Sequence, residues 1–104
     1  MSEKLPFEDI DTNLSNDLQK DTPSLFKVLM HNDNYSTMEF VVNILETVFR
    51  KSSTEANQIM LNVHLKGVGL CGIYPFEIAE TKVSEVDAAA GREGFPLRCT
   101  VEEL

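Results

Sequence analysis

Apolar and polar positions follow two different periods along this chain, and each change of period predicts a new element. Leu25–Met30 is a compact apolar run that ends at the turn-forming residues 31–34, which predicts a buried strand. Ser36 and Glu39 then form a capping-box pattern that predicts the start of a helix. That helix has apolar residues at helical spacing, namely Met38, Val41, Val42, Leu45, Val48 and Phe49.

A second helix and a second strand are predicted next. The pattern Ser52-Ser53-Thr54-Glu55 repeats the capping box, and Gly67 suits the left-handed end of a helix. Val68–Tyr74 is predicted to be a strand in which glycines allow a close approach of another backbone.

The last part of the chain predicts a third helix and a third strand. Pro75 fits the first turn of the helix, and Gly91 and Gly94 are expected to end it. Phe95–Glu102 closes the chain as a strand. The order β-α-α-β-α-β predicts an α+β fold, a two-layer sandwich in which three helices cover one face of a three-stranded antiparallel sheet.

Composition divides the chain into two parts and argues against some classes of partner. Residues 1–23 hold six acids, two lysines and no sustained apolar period, which predicts a flexible acidic tail before a core domain over residues 24–104. The net charge of −8 argues against nucleic acid and anionic membrane surfaces as partners. An acidic N-terminus without an apolar run predicts no signal peptide and a cytoplasmic location.

Two features are candidates for a binding site. His64 stands at the end of a predicted helix beside Met60 and Val63, and Asn32-Asp33 forms a turn after a strand. Each has an ordinary explanation, since a helix C-terminus favours histidine and turns favour Asn and Asp. Together, a carboxylate, an amide and a neutral imidazole could accept hydrogen bonds from an ammonium group, which only donates them.

Catalytic and metal chemistry have weaker support. Cys71 and His64 could form a nucleophile and base, but Cys71 lies in an apolar strand where a thiolate is poorly stabilised. His31, His64 and Asp33 match no standard metal-site spacing. We therefore expect neither an enzyme nor a bound metal or cofactor.

Several segments together resemble one known family. Asn32–Val41 closely resembles the signature segment of ClpS, the adaptor that delivers N-degron substrates to the Clp protease. The similarity continues through Met60–His64, Ala79–Val83 and Pro96–Thr100, and covers about residues 23–103 in order. Asn34, Thr37 and Phe95 depart from the family pattern, which usually has Asp, Pro and His there.

The resemblance implies a receptor for a free amino terminus that bears Leu, Phe, Tyr or Trp. It implies that Asn32, Asp33 and His64 hold the substrate α-amino group. The implied apolar pocket is formed by Met38, Val41, Met60, Val63 and Leu97. Asn34, Ser36 and Thr37 would form its rim.

The resemblance also implies a protein partner. Glu77, Glu80 and Lys82 would dock on the N-terminal domain of a ClpA/ClpC-type AAA+ unfoldase, with the adaptor acting as a monomer in the bacterial cytosol or a plastid stroma. Two alternatives remain open at this point: an unfoldase regulator that binds no N-degron, and a small hydrolase using Cys71 and His64.

Overall fold

The computed structural model describes residues 24–104, and the predicted tail over residues 1–23 lies outside them. The strands are β1, Leu25–His31; β2, Val68–Pro75; and β3, Arg98–Glu103. The helices are α1, Met38–Thr47; α2, Ser53–Lys66; and α3, Phe76–Glu93. The predicted order of elements is confirmed.

The three strands form one antiparallel sheet in the order β2-β1-β3. Met30 of the central strand pairs with Gly69 of β2 on one side and with Cys99 of β3 on the other. Met30 and Val28 are completely buried, whereas Leu70 and Ile73 of β2 are exposed. The two-layer α+β fold is therefore confirmed.

Local interactions explain where α2 begins and ends. Ser52 Oγ accepts the Glu55 backbone N–H at 3.1 Å, and Glu55 Oε1 accepts the Ser52 backbone N–H at 3.2 Å. Gly67 ends the helix with a φ of +89°, a conformation that costs glycine little because it has no Cβ. The predicted capping box and stop are both confirmed.

The capping box predicted at Ser36 and Glu39 is wrong. Thr37 is the N-cap of α1, and its Oγ1 accepts the Phe40 backbone N–H at 3.0 Å. Ser36 instead donates its backbone N–H and its hydroxyl to the carboxylate of Asp33, three residues earlier in the loop. An Asp side chain in a turn competes for nearby donors, so the helix starts one residue later than the pattern predicts.

Two further boundaries differ from prediction. Gly91 lies inside α3, which ends only at Gly94 with a φ of +76°. The last strand begins at Arg98 rather than at Phe95. Pro96 lacks the N–H that a sheet ladder needs, so the chain joins the sheet only after it.

Candidate functional site

A cavity of about 250 Å³ lies between the loop after β1 and the facing parts of α1 and α2. Its polar lining comes from Asn32, Asp33, Asn34 and Ser36 on the loop and from His64 near the end of α2. Its apolar lining is made by Met38, Val41, Met60 and Val63. The structure therefore brings together most of the residues that were predicted to form one site, although the two halves lie about thirty positions apart.

Helix geometry places the apolar lining. Met38 and Val41 are three positions apart on α1, and Met60 and Val63 are three positions apart on α2, so each pair shares one helical face. Val41 and Val63 are nearly fully buried, whereas Met38 is 50% exposed. The cavity thus has a buried apolar wall and a half-exposed thioether, that of Met38, at its margin.

The loop and α2 are joined by a backbone hydrogen bond. The Asn32 N–H donates to the carbonyl of Gly67 at 2.9 Å, immediately after the helix that carries His64. This backbone hydrogen bond therefore holds the polar loop against the end of α2, and no pattern of side chains in the sequence predicts it. A positive φ at Gly67 turns the chain at this point.

Asp33 organises the loop with its carboxylate. Oδ1 accepts the backbone N–H of Tyr35 at 2.7 Å and that of Ser36 at 2.6 Å, while Oδ2 accepts the Ser36 hydroxyl at 2.8 Å. Partial burial raises the pKa of Asp33, but these hydrogen bonds outweigh it and leave the pKa below its ordinary value. The cavity consequently holds a fixed negative charge.

His64 presents its ring at the same cavity. It lies in the last turn of α2 and is exposed, so the imidazole is accessible to a ligand. His31 serves as a contrast, because its Nε2 lies 2.7 Å from Thr100 Oγ1 on the sheet and it does not line this cavity. The two histidines of the chain therefore occupy different environments.

Two predicted pocket residues lie elsewhere. Leu97 is 3% exposed, belongs to the hydrophobic core and does not line the cavity. Thr37 caps α1 and lines a neighbouring groove that shares Met38 and Met60 with the cavity. Spacing in the sequence does not distinguish an apolar core position such as Leu97 from an apolar lining position, because the residue types are alike at both.

The residues predicted to dock a partner lie on α3. Glu77 and Glu80 are exposed in its first two turns. Lys82 is half-buried, and its Nζ donates to the Val48 carbonyl at 2.8 Å and lies 5.8 Å from the centre of the Tyr74 ring. Lys82 therefore braces the end of α1 within the chain.

The hydrolase alternative finds no support in this arrangement. Cys71 is completely buried in the core, while His64 is exposed at the cavity. A hydrogen bond with the Cys99 thiol, together with burial, raises the pKa of Cys71 far above its ordinary value. Cys71 is therefore a thiol and not a thiolate nucleophile.

Two further features of residues 24–104 concern metal ligands and membrane-spanning helices. No group of three or more His, Cys, Asp or Glu side chains in this range could hold a metal ion. None of its helices combines the length and apolar character needed to cross a bilayer.

Known proteins provide an independent comparison. Residues 21–100 match the model of the family described as ATP-dependent Clp protease adaptor protein ClpS. The ATP-dependent Clp protease adapter protein ClpS of Nitratidesulfovibrio vulgaris (strain DSM 19637 / Miyazaki F) is 58% identical over 94 residues, which cover 90% of this chain and 94% of the relative. The protein of the same description from Desulfatibacillum aliphaticivorans is 53% identical over 98 residues, covering 93% of this chain and 94% of that relative.

A solved structure shows the same similarity in three dimensions. The structure of Agrobacterium tumefaciens ClpS2 bound to L-phenylalaninamide matches with a TM-score of 0.76 and 36% identity, over 79% of this chain and 99% of that chain. Sequence and fold therefore agree over the described core. The chain belongs to the ClpS family of ATP-dependent Clp protease adaptor proteins.

Proposed function

We propose that this chain recognises proteins with a free N-terminal Leu, Phe, Tyr or Trp and delivers them to a Clp AAA+ unfoldase-protease. The observation that carries the proposal is the two-sided cavity, which pairs a buried apolar wall with a polar loop that bears one fixed negative charge. Its volume of about 250 Å³ is below the usual range for drug-sized ligands, so it suits a single amino-acid residue.

The polar side of the cavity fits an ammonium group. A peptide α-amino group is mostly protonated at neutral pH, and it then donates up to three hydrogen bonds and accepts none. We propose that the Asn32 amide oxygen and a ring nitrogen of His64 act as acceptors and that Asp33 supplies the charge, with Asn34 at the rim. Each charge-assisted hydrogen bond contributes about 1.5–3 kcal/mol.

The apolar side fits one bulky side chain. Burial of a Leu or Phe side chain against Met38, Val41, Met60 and Val63 contributes roughly 1.5–3 kcal/mol. Three such hydrogen bonds and the buried side chain contribute about 6–12 kcal/mol before the cost of association, which leaves at most about −8 kcal/mol, a dissociation constant in the micromolar range or weaker. Such an affinity allows an adaptor to release its cargo.

The solved relative supports the same ligand chemistry. L-phenylalaninamide, bound to Agrobacterium tumefaciens ClpS2, has a free α-amino group and an aromatic side chain. An acetylated terminus, by contrast, has neither the positive charge nor the three donors. Acceptors at the cavity would then lose their hydrogen bonds to water without replacement, which costs free energy.

The first turns of α3 are the proposed docking face for the N-terminal domain of a ClpA/ClpC-type unfoldase. Glu77 and Glu80 are exposed there, beside the partly exposed apolar side chains of Phe76 and Ile78. Lys82 would act by holding this face against α1 through Val48. We further propose that the adaptor works as a monomer in a bacterial cytosol.

The experiment that tests the proposal compares two single-residue variants with a matched control. A Leu-initiated peptide with a free amine is titrated by calorimetry into the wild type, Asp33→Ala, His64→Ala and His31→Ala. We expect about tenfold or greater weakening for the first two variants, the size of one lost hydrogen bond to a charged group, and wild-type affinity for His31→Ala. Unchanged binding by Asp33→Ala and His64→Ala would contradict the proposed site.

A second measurement distinguishes the proposed function from the hydrolase alternative. Cys71→Ser is expected to leave peptide affinity unchanged, since Cys71 is buried away from the cavity lining. Cleavage of the peptide by the wild type, lost in Cys71→Ser, would instead support a hydrolase.

A further inference from the structure

We infer that Ser36 is a positioning residue for the α-amino site, because it holds the Asp33 carboxylate in the orientation that a substrate's ammonium group meets. The inference rests on the proposed function. It assigns to Ser36 a role in affinity that acts through Asp33 and requires no contact of its own with the substrate.

Ser36 makes two of the three hydrogen bonds that the structure gives to this carboxylate. Its backbone N–H donates to Oδ1 at 2.6 Å, and its hydroxyl donates to Oδ2 at 2.8 Å. The third comes from the Tyr35 N–H, which donates to Oδ1 at 2.7 Å. Within residues 24–104, the Ser36 hydroxyl is thus the one hydrogen-bond partner found for Oδ2.

The number of hydrogen bonds that a carboxylate can accept indicates where a substrate ammonium could bind Asp33. A carboxylate accepts about four hydrogen bonds, so about one position remains free, and it lies on Oδ2. That oxygen is the one whose orientation the Ser36 hydroxyl fixes. A substrate ammonium would therefore meet an acceptor that is already ordered, and the cost of ordering it has been met during folding.

Ser36 is available for this role because it does not cap the helix. Thr37 satisfies the Phe40 N–H at the start of α1, so the Ser36 hydroxyl is not needed there. Ser36 is also half-buried and lines the cavity beside Asp33.

The hydrogen bonds from Ser36 also favour the charged form of Asp33. Burial raises the pKa of Asp33, and the hydrogen bonds from Ser36 and Tyr35 reverse this and keep the carboxylate ionised. Asp33 from the loop and His64 from α2 are the titratable side chains that line the cavity. Loss of the Ser36 hydroxyl would remove one of the bonds that favour the charged form.

The test uses Ser36→Ala, which removes the hydroxyl, and Ser36→Thr, which keeps it. A Leu-initiated peptide is titrated into both variants and the wild type, and into Ser36→Ala combined with Asp33→Asn. We expect Ser36→Ala to weaken binding by about fivefold to tenfold, in the range for a hydrogen bond to a charged group. Ser36→Thr should stay within about twofold of wild type, and Ser36→Ala should change the affinity of Asp33→Asn by less than about twofold.

A second measurement needs no peptide. Carboxyl ¹³C titration by NMR is expected to show a higher pKa for Asp33 in Ser36→Ala than in the wild type, and an unchanged one in Ser36→Thr. This readout follows the carboxylate itself, so it remains informative even if Ser36→Ala loses stability, which urea unfolding would reveal.

The outcomes separate the inference from the proposed function. If the wild type binds the Leu-initiated peptide and Ser36→Ala binds it equally well, the positioning role is overturned while the proposed function stands. An equal loss in the Asp33→Asn background would also overturn it, because Ser36 would then act on the loop in general. Failure of the wild type to bind a free Leu terminus would overturn the proposed function, and the inference with it.

Discussion

Gly69 provides a sharp test of how closely α2 packs against the sheet. An added Cβ at this position of β2 would lie 2.7 Å from Val63 Cγ2 and 3.2 Å from the Ile59 backbone carbonyl oxygen. Valine in a helix is nearly confined to one χ1 rotamer, and a helix carbonyl cannot move alone. Gly69→Ala must therefore displace α2, and Val63 is one of the residues that line the cavity.

The expected loss of stability follows from two opposing effects. Overpacking of a well-packed site costs about 1–3 kcal/mol, whereas replacing glycine by alanine restricts the unfolded chain and returns about 0.4–1 kcal/mol. We expect Gly69→Ala to lower the free energy of unfolding by about 1–2 kcal/mol. For a domain of this size, each kcal/mol corresponds to a fall of about 4–8 °C in Tm.

Gly91→Ala is the matched control. Gly91 lies within α3, and an added Cβ there would meet no atom within 4 Å. Alanine is favoured over glycine inside a helix, so this variant should gain about 0.5–1 kcal/mol. The same chemical change therefore has opposite signs at two positions.

Urea unfolding and a Leu-peptide titration are the assays. Gly69→Ala should unfold at lower urea concentration and bind the peptide about threefold or more weakly, corresponding to about 0.6 kcal/mol or more. Gly91→Ala should unfold at higher urea concentration and bind like the wild type. Equal stability and affinity of Gly69→Ala and the wild type would refute the packing argument.

Two further predictions concern the N-cap of α2 and the change in folding stability at low pH. Ser52→Ala removes the N-cap hydroxyl and should cost about 0.5–2 kcal/mol in urea unfolding, whereas Ser53→Ala, one residue later and exposed, should stay within about 0.5 kcal/mol of wild type. Equal costs would argue against the capping box. Because the pKa of Asp33 is below its ordinary value of 3.8, its contribution to stability is present above that value and lost as the pH falls through the pKa of the folded state. The stability difference between the wild type and Asp33→Asn should therefore be constant near neutral pH and shrink below about pH 4, and a difference that grows there would contradict the sign.

Local signals explain which boundaries could be predicted. Ser52, Glu55 and Gly67 act within one or two turns of their own helix, so their patterns identified both ends of α2 correctly. Ser36 fits the same pattern but hydrogen-bonds to Asp33, since the preceding turn offers a carboxylate that competes for its N–H and hydroxyl. A capping pattern is thus reliable only where no such side chain precedes it.

The family resemblance predicted that the site residues form one cavity, whereas spacing and local chemistry alone did not join the two halves. Helical spacing places Met38, Val41, Met60 and Val63 on apolar helix faces without distinguishing core from cavity lining, and Asn32, Asp33 and His64 were candidates from their chemistry. Their proximity depends on the long-range antiparallel pairing of β1 with β2, which the hydrogen bond from Asn32 to the Gly67 carbonyl continues and which local patterns do not reveal. Burial of Leu97, the residue before β3, likewise depends on tertiary packing, which its position in the sequence does not reveal.

The proposed function requires that the cavity bind a free amino terminus that bears one bulky apolar side chain. The most direct measurement titrates the wild-type protein with two peptides that differ only at the terminus, one beginning with unmodified Leu and the other with N-acetyl-Leu. We expect a dissociation constant in the micromolar range for the free peptide and no measurable binding of the acetylated one. Equal affinity for the two peptides would contradict the proposed function.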